Sequence, residues 1–336
     1  MARCAACLRS LRMTKLISLT AALAFAANFS HAEFKLADTP GDHLDVLSDG
    51  KIIARYMYAY DKSSPERLAE TYKPYLHVFD AEGSAPITKG PGGQFTHHRG
   101  LFIGWNKLTV DGKTYDRWHM KGGEIVHQKF VDQKADASGA SFTALTHWRG
   151  DGDAVVLEEE RTLNFLTPPA GTYALIEMTS KLKAVAGETK LDGDPEHAGL
   201  QFRPANEVDV AKTAYLFPKA DADPKKDRDY PWVAESFSLN GKSYSVAYLN
   251  HPSNSKDAVT SAYRDYGRFG NWFKGTIPKG GEQTIKVRIV VAAGEMLSSE
   301  AIQKAANAFT GKDDPAPAAT TLKKSEAKAA AKPKKK

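Results

Sequence analysis

Cysteine is almost missing from this chain of 336 residues: there are two, Cys4 and Cys7, and both lie at its very beginning. The rest of the sequence therefore has no disulfide framework and no thiolate to act as nucleophile or metal ligand, whatever the redox compartment. Cys4-Ala5-Ala6-Cys7 has CxxC spacing, but it precedes an apolar run instead of ending it, which argues against both a metal site and a lipoprotein anchor. Enzyme signatures are scarce as well. There is no GxSxG elbow, no phosphate-cradling loop ending in Lys-Ser/Thr and no dinucleotide fingerprint between strand and helix; Gly90, Gly92 and Gly93 sit around Pro91 in a loop without that context. Serine hydrolase, nucleotide hydrolase and Rossmann oxidoreductase readings are weak on these grounds. HExxH, HxH and DGxGxD are missing too, which removes the most recognisable zinc and calcium spacings.

The one long apolar run is residues 16–29, LISLTAALAFAANF, preceded by Arg9, Arg12 and Lys15 and followed by Ser30-His31-Ala32. That order predicts a secretory signal over residues 1–32, cleaved after Ala32, and a periplasmic or secreted protein with no transmembrane segment in its mature form. The other end, residues 315–336, is Lys/Ala/Pro-rich with seven lysines against one glutamate. It is expected to be disordered and suited to contact with an anionic surface. The tail contributes six positive charges and the first 32 residues four, so the +6 of the whole chain leaves residues 33–314 at −4. The basic character belongs to the appendages, and no specific nucleic-acid partner is expected.

Residues 33–314 carry no Pro/Gly/Ser linker and no internal repeat, which predicts a single domain. Alternation of period two dominates in KIIARYMYAY (51–60), THHRGLFIGWNKLTV (96–110), GGEIVHQKFVDQK (122–134), SFTALTHWR (141–149), AVVLEEERTLNFL (154–166), TYALIEMTSKLKAV (172–185), YSVAYLNH (244–251) and TIKVRIVVAAG (284–294). The Gly150–Asp153 stretch is a hairpin signal. The expected class is all-β, a large antiparallel β-sandwich, with one short C-terminal helix over residues 298–309, capped by Ser298 or Ser299, ended by Gly311 and packed at the sandwich edge.

Several segments could carry chemistry. In QFTHHRGLFIGW, His97 and His98 precede an apolar strand; on extended backbone they would face opposite ways, one entering a site and the other bracing its wall, with Arg99 on the face of His97. His119 and His127 flank the turn Lys121-Gly122-Gly123, beside Trp118 as a stacking surface. Histidine suits proton transfer because its ordinary pKa is near 6.5. In LDGDPEHAGLQFRP, Asp192, Asp194, Glu196 and His197 share a turn, with Gln201 and Arg203 on the strand that follows. In YLNHPSN and YRDYGRFGNWF, His251 and Asn254 offer polar groups, Tyr263, Tyr266, Phe269 and Trp272 offer rings for sugar faces, and Arg264 and Asp265 either form an orienting pair or split between opposite faces.

Taken together, YKPYLH (72–77), THHRGLFIGW, GGEIVHQKF, HAGLQFRP, LNHPSN and YRDYGRFG resemble a bacterial family of unknown function whose members are often labelled PmoA-like or methane oxygenase. The membrane methane monooxygenase subunit of similar name has several spans, and the body of this chain has none. The resemblance covers most of residues 40–295 and implies an exported β-sandwich protein of carbohydrate utilisation. It places His77, His97, His98, Arg99, Gly100, Trp105, His127, Gly199, Phe202, Arg203, His251, Asn254, Arg264, Asp265 and Gly267 at the family's matching positions. The expectation is a carbohydrate-active hydrolase, lyase or epimerase acting on a sugar or other oxygen-rich small molecule. His97, His98, His127, Glu196 and Asp265 would be its catalytic residues, and His77, Arg99, Trp105, Trp118, Arg203, His251, Asn254, Arg264 and Tyr266 would bind substrate. No cofactor is predicted, and a bound divalent metal is left open. The alternatives are a non-catalytic carbohydrate-binding or envelope protein and a metal-dependent oxygenase or hydrolase.

Overall fold

Alternating apolar side chains on long strands leave each sheet with one face to bury, and two large sheets solve this by facing one another. In the computed structural model, which describes Met1 and residues 33–261 and 264–323, every named strand pairs antiparallel, as the alternation requires. The expected signal segment, Met1 apart, lies outside the described residues.

An eight-stranded sheet runs in the order 34–39, 43–48, 51–57, 75–78, 101–105, 198–202, 269–272 and 259–260. A nine-stranded sheet runs 320–323, 214–217, 232–239, 242–250, 282–293, 174–184, 155–166, 139–149 and 125–136, and a four-stranded sheet is formed by 275–277, 189–192, 107–110 and 113–115. The core lies between the two large sheets. Tyr56 of one meets Phe142 of the other with ring centroids 5.1 Å apart, and the Tyr248 hydroxyl donates to the Leu200 carbonyl at 3.3 Å. A buried ion pair adds a polar stitch. Glu159 and Arg161, two apart on one strand and so on one face, bond at 2.8 and 2.9 Å, while Arg161 also donates to the Pro74 carbonyl at 3.0 Å.

The C-terminal helix is Ser299–Thr310, with the Ser298 side chain accepting from the Ala301 N–H and Gly311 left-handed at φ 70. It covers the outer face of the nine-stranded sheet, packing on Trp232, Leu249 and Val290, and not an edge as expected. Three other expectations are corrected. A second helix, Pro65–Thr71, forms because Ser64 accepts from the Arg67 N–H and proline occupies the first turn. The segment 96–110 is not one strand: Leu101–Trp105 and Lys107–Val110 belong to different sheets, with Asn106 between them bonded to the His197 carbonyl. In the tail, Thr320–Lys323 is a strand paired with 214–217, since Thr-Thr-Leu suits an extended edge; residues 324–336 lie outside the described residues.

Glycine matters where strands meet loops. A Cβ on Gly100 would lie 2.2 Å from the Leu76 carbonyl oxygen, so glycine lets the segment after His97 and His98 run against the neighbouring strand.

Candidate active site

His97 and His98 do not alternate across a strand. They lie in a turn closed by the His98 N–H donating to the Phe95 carbonyl at 2.9 Å, with Phe95 at φ 55, and the extended strand begins only at Leu101. A turn removes the alternation, so both rings enter one cluster, with centroids 4.4 Å apart.

Two further histidines reach it from turns of the same design. Asp116-Arg117-Trp118-His119 and Asp194-Pro195-Glu196-His197 are each an Asp-x-x-His. Asp116 accepts from the backbone N–H of His119 and from its Nδ1, both at 2.8 Å; Asp194 accepts from the Glu196 N–H and from His197 Nδ1, both at 2.9 Å. An aspartate thus closes each turn and fixes the ring that follows, with Nε2 left for other work. His119 stands 4.3 Å from His97 and 5.0 Å from His197, centroid to centroid. His97, His119 and His197 are partly exposed, whereas His98 is buried.

Deeper in, aromatic and cationic side chains converge on His98. Trp118 is fully buried with its ring 6.0 Å from His98, and half-buried Tyr266 lies 6.2 Å away on the other contact. The Arg203 guanidinium sits 4.5 Å from the Tyr266 centroid, and that of Arg268 sits 5.8 Å from Trp118. Lys73, also buried, donates to the Trp118 carbonyl at 2.9 Å and lies 4.5 Å from the Phe102 ring. The opposite sheet contributes Glu235. On the strand Trp232–Leu239, Trp232 and Ala234 face the helix, so Val233, Glu235 and Phe237 must face the core. Glu235 is 0% exposed, and neither of its oxygens has a partner at hydrogen-bond geometry, because the nearby Tyr215 hydroxyl donates instead to the Arg264 carbonyl at 2.9 Å. It borders the same loop: a Cβ on Gly267 would lie 3.3 Å from Glu235 Oε2.

The electrostatics follow from burial among like charges. His98 is held far below the ordinary imidazole range by burial, then by Arg268, His97, Arg203 and Lys73. His97 is lowered to about 3 by burial, then by Lys73 and the neighbouring histidines. Burial brings Arg203 down to about 10 and holds Lys73 well below the ordinary lysine value. Glu235 is pushed the other way, well above 4.5, because burial outweighs the opposing effects of Arg203 and the Tyr215 hydroxyl. Burial thus disfavours both the imidazolium of His98 and the carboxylate of Glu235, with Arg203 the charged neighbour common to both. Several buried polar atoms lack partners here: His98 Nδ1, His97 Nε2, Trp118 Nε1, Arg203 Nε and Nη2, and Arg268 Nε. So many orphans in one place is what a site for a polar ligand requires.

Of the residues expected from sequence, His97, His98, Trp118, Arg203 and Tyr266 meet here. Glu196 pairs with Arg264 and is exposed, which leaves its carboxylate committed to that contact. Asp265 is half-buried on the loop next to Tyr266. The structure places the others elsewhere. His127 packs between Tyr58 and Phe130, each at 4.6 Å, so the expected convergence of His98 with His127 does not occur, and it is His97 that meets His119 and His197. Arg99 turns from His97 towards Tyr72 and Tyr75 and donates from both terminal nitrogens to the carbonyls of Thr96, His98 and Ala69, with Nε left unpartnered. Trp105 is a core ring donating to the Phe273 carbonyl at 3.3 Å. Asn254 fastens its turn to Asn250 and to both backbone groups of Lys286, and His251 bonds Ser253 at 2.7 Å beside Phe309. His77 lines a separate cavity of about 540 Å³ with Arg55, Arg67, Glu70, Lys73 and Tyr75. There both ring nitrogens of His77 are engaged, by Thr88 and Tyr75, and Arg55 and Arg67 are paired with Asp45, Asp61 and Glu70. The uncommitted donors are in the histidine cluster, which shares only the Lys73 side chain with that cavity's lining.

Glu235 and Arg268 are absent from the sequence-based set. Glu235 had a signal: a carboxylate at a core-facing position of the alternating WVAESFSL. Among the described residues no three His, Cys, Asp or Glu side chains are arranged to hold a metal ion, and no helix is long and apolar enough to cross a membrane.

Residues 43–307 match the model of a family described as a family of unknown function, DUF6807. This agrees with the expected kinship to a family without an assigned reaction, and the match carries no PmoA-like designation. No curated protein matches the sequence significantly. Among solved structures the chain is similar to a glycoside hydrolase family 97 enzyme from Pseudoalteromonas sp. strain K8, at 9% identity and TM-score 0.41, over 80% of this chain and 36% of that one. It is similar also to a mutant of heparan sulfate lyase HepC from Pedobacter heparinus, at 9% identity and TM-score 0.36, over 79% and 36%. A galactose mutarotase related enzyme from Lactobacillus acidophilus matches at 10% identity and TM-score 0.35, over 78% and 97%. The chain thus spans little more than a third of the hydrolase and lyase it resembles.

Proposed function

We propose that this chain, which belongs to the DUF6807 family of unknown function, is a carbohydrate-active enzyme that moves protons on a bound sugar, with His98 as base and Glu235 as acid. The observation that carries the reading is the pairing of opposite shifts in one buried cluster. Both groups are held in the uncharged form, so once a bound anion offsets the positive charge around His98 its imidazole can accept a proton while the Glu235 carboxyl can donate one. Trp118 and Tyr266 offer ring faces to the C–H side of a sugar, and the unpartnered nitrogens of Arg203 and Trp118 offer donors to its hydroxyls. One histidine and one buried carboxyl suit a lyase or epimerase, in which a proton is removed and another delivered. Hydrolysis by a carboxylate pair fits less well, with Glu196 exposed and committed to Arg264. A binding protein would use the same rings and donors; the buried, unbonded carboxyl of Glu235 favours catalysis, because such a group costs stability and serves binding poorly. We place the enzyme outside the cytoplasm on the strength of the signal-like residues 16–29 and the cysteine-free body.

The test is a panel of neutral, acidic and oxidised sugars incubated with the protein in D2O and followed by NMR. The expected result is deuterium incorporation or elimination on at least one sugar, lost in His98→Ala while the variant's melting curve stays cooperative. A protein that neither binds nor changes any member of the panel refutes the proposal, and full turnover by His98→Ala removes His98 from it.

A further inference from the structure

Elsewhere in this fold buried guanidinium groups are held by carboxylates or by several backbone carbonyls, although Arg99 too leaves its Nε without a partner. Arg161 is held by Glu159 through two bonds, Arg288 by Glu177, and Arg117 directs its nitrogens at five backbone carbonyls. The histidine cluster breaks that pattern. Arg203 gives one nitrogen, Nη1, to the carbonyls of Pro204, Ala205 and Tyr266 and leaves Nε and Nη2 bare. Arg268 reaches only neutral oxygens, Ser261 Oγ at 3.2 Å and Gln201 Oε1 at 3.4 Å, and leaves Nε bare. Lys73 has the Trp118 carbonyl. All three are at most 2% exposed, all three act on His98, and among the described residues none of them forms an ion pair. The carboxyl facing them from the other sheet, Glu235, makes no bond to any of them. Buried charges in folded proteins are paired, and a guanidinium with Nε and one Nη free presents the two-pronged donor that a carboxylate fits.

Resting on the sugar reading above, we propose that the ligand is an acidic sugar, a uronate or related sugar carboxylate, whose carboxylate is taken by Arg203 and Arg268 while its ring lies beside His98 between Trp118 and Tyr266. The missing counter-ion is then supplied by the substrate. This also accounts for Glu235 standing apart: a second ionised carboxylate in the same place would repel the ligand, whereas a protonated one can donate to it.

The experiment is calorimetric titration of the full chain with glucuronate and galacturonate against glucose and galactose, which match them in stereochemistry, and with acetate and sulfate as anions without a sugar. Charge-assisted bonds to a buried fork predict that a uronate binds roughly 10- to 100-fold tighter than its neutral counterpart. That preference should collapse in Arg203→Lys or, if that variant does not fold, in Arg268→Lys. Neutral sugars binding as tightly as the uronates overturn the inference and leave the sugar reading standing. Acetate or sulfate binding where no sugar binds overturns the sugar reading and, with it, this substrate class. A uronate preference that survives in a folded Arg203→Lys, Arg268→Lys double variant also overturns the assignment, since the carboxylate would then be held elsewhere.

Discussion

Glu235→Gln isolates the titration on which the acid role depends. The substitution keeps the shape of the side chain and removes its proton equilibrium. Glu235 is fully buried with neither oxygen bonded, so the folded protein keeps the proton to a higher pH than the unfolded chain, where the group ionises at its ordinary 4.5. Above that value the unfolded chain binds fewer protons than the folded one, and wild-type stability falls as pH rises, by about 1.4 kcal/mol per pH unit while the folded group stays protonated. The variant has no such slope. Between about pH 5 and pH 7 the difference should therefore move in the variant's favour, by up to roughly 3 kcal/mol, or several degrees in Tm for a body of this size. The buried amide will lack partners and lower the variant's stability by some constant amount, but that amount does not vary with pH. The assay is thermal or urea unfolding of both proteins across that range, read as the difference between them, so that every other titrating group cancels. A difference that stays flat, or that moves in favour of the wild type as pH rises, would show Glu235 ionised in the fold as the counter-ion of Arg203. The acid assignment and the acidic-sugar inference would both fall with it.

His77 predicts the opposite limb. Burial, then Arg55 and Arg99, lowers it to about 4 in the fold against 6.5 unfolded. The stability it contributes is complete above about pH 6.5 and is lost as pH falls towards 4, by up to about 3 kcal/mol, and His77→Gln should flatten that acid limb in pH-dependent melts. Gly100→Ala forces a Cβ to 2.2 Å from the Leu76 carbonyl and should cost about 1–3 kcal/mol or more in urea unfolding; an unchanged midpoint would mean the two strands separate easily. Glu159→Ala strands the buried Arg161 and should cost about 3–5 kcal/mol, whereas replacing both residues with apolar side chains of similar volume should recover most of that loss, as a double-mutant cycle would show.

The fold was legible wherever a local period or cap carried it. Alternation in 139–149 and 155–166, the Gly150–Asp153 turn between them and the Ser298/Gly311 caps all describe the structure as it stands. The short helix 65–71 escaped because seven residues show little periodicity, although Ser64-Pro65-Glu66 was a start signal. The site was legible only in pieces. His97, His98, Trp118, Arg203 and Tyr266 stand out as motifs, and the shared Asp-x-x-His of 116–119 and 194–197 could have linked His119 to His197 as matching turns. Which pieces meet is a tertiary fact. His127 looks like a partner of His98 in the chain and lies in an aromatic cluster with Tyr56, Tyr58 and Phe130, while Glu235 arrives from the opposite sheet with nothing nearby in sequence to announce it.

A crystal structure of the protein soaked with glucuronate tests the central claim most directly. The account predicts a sugar beside His98, its carboxylate on Arg203 and Arg268, its ring between Trp118 and Tyr266, and a Glu235 oxygen within hydrogen-bond distance of it. A sugar lodged in the cavity of Tyr75 and His77, or beside His251 and Phe309, with the histidine cluster empty, would contradict it.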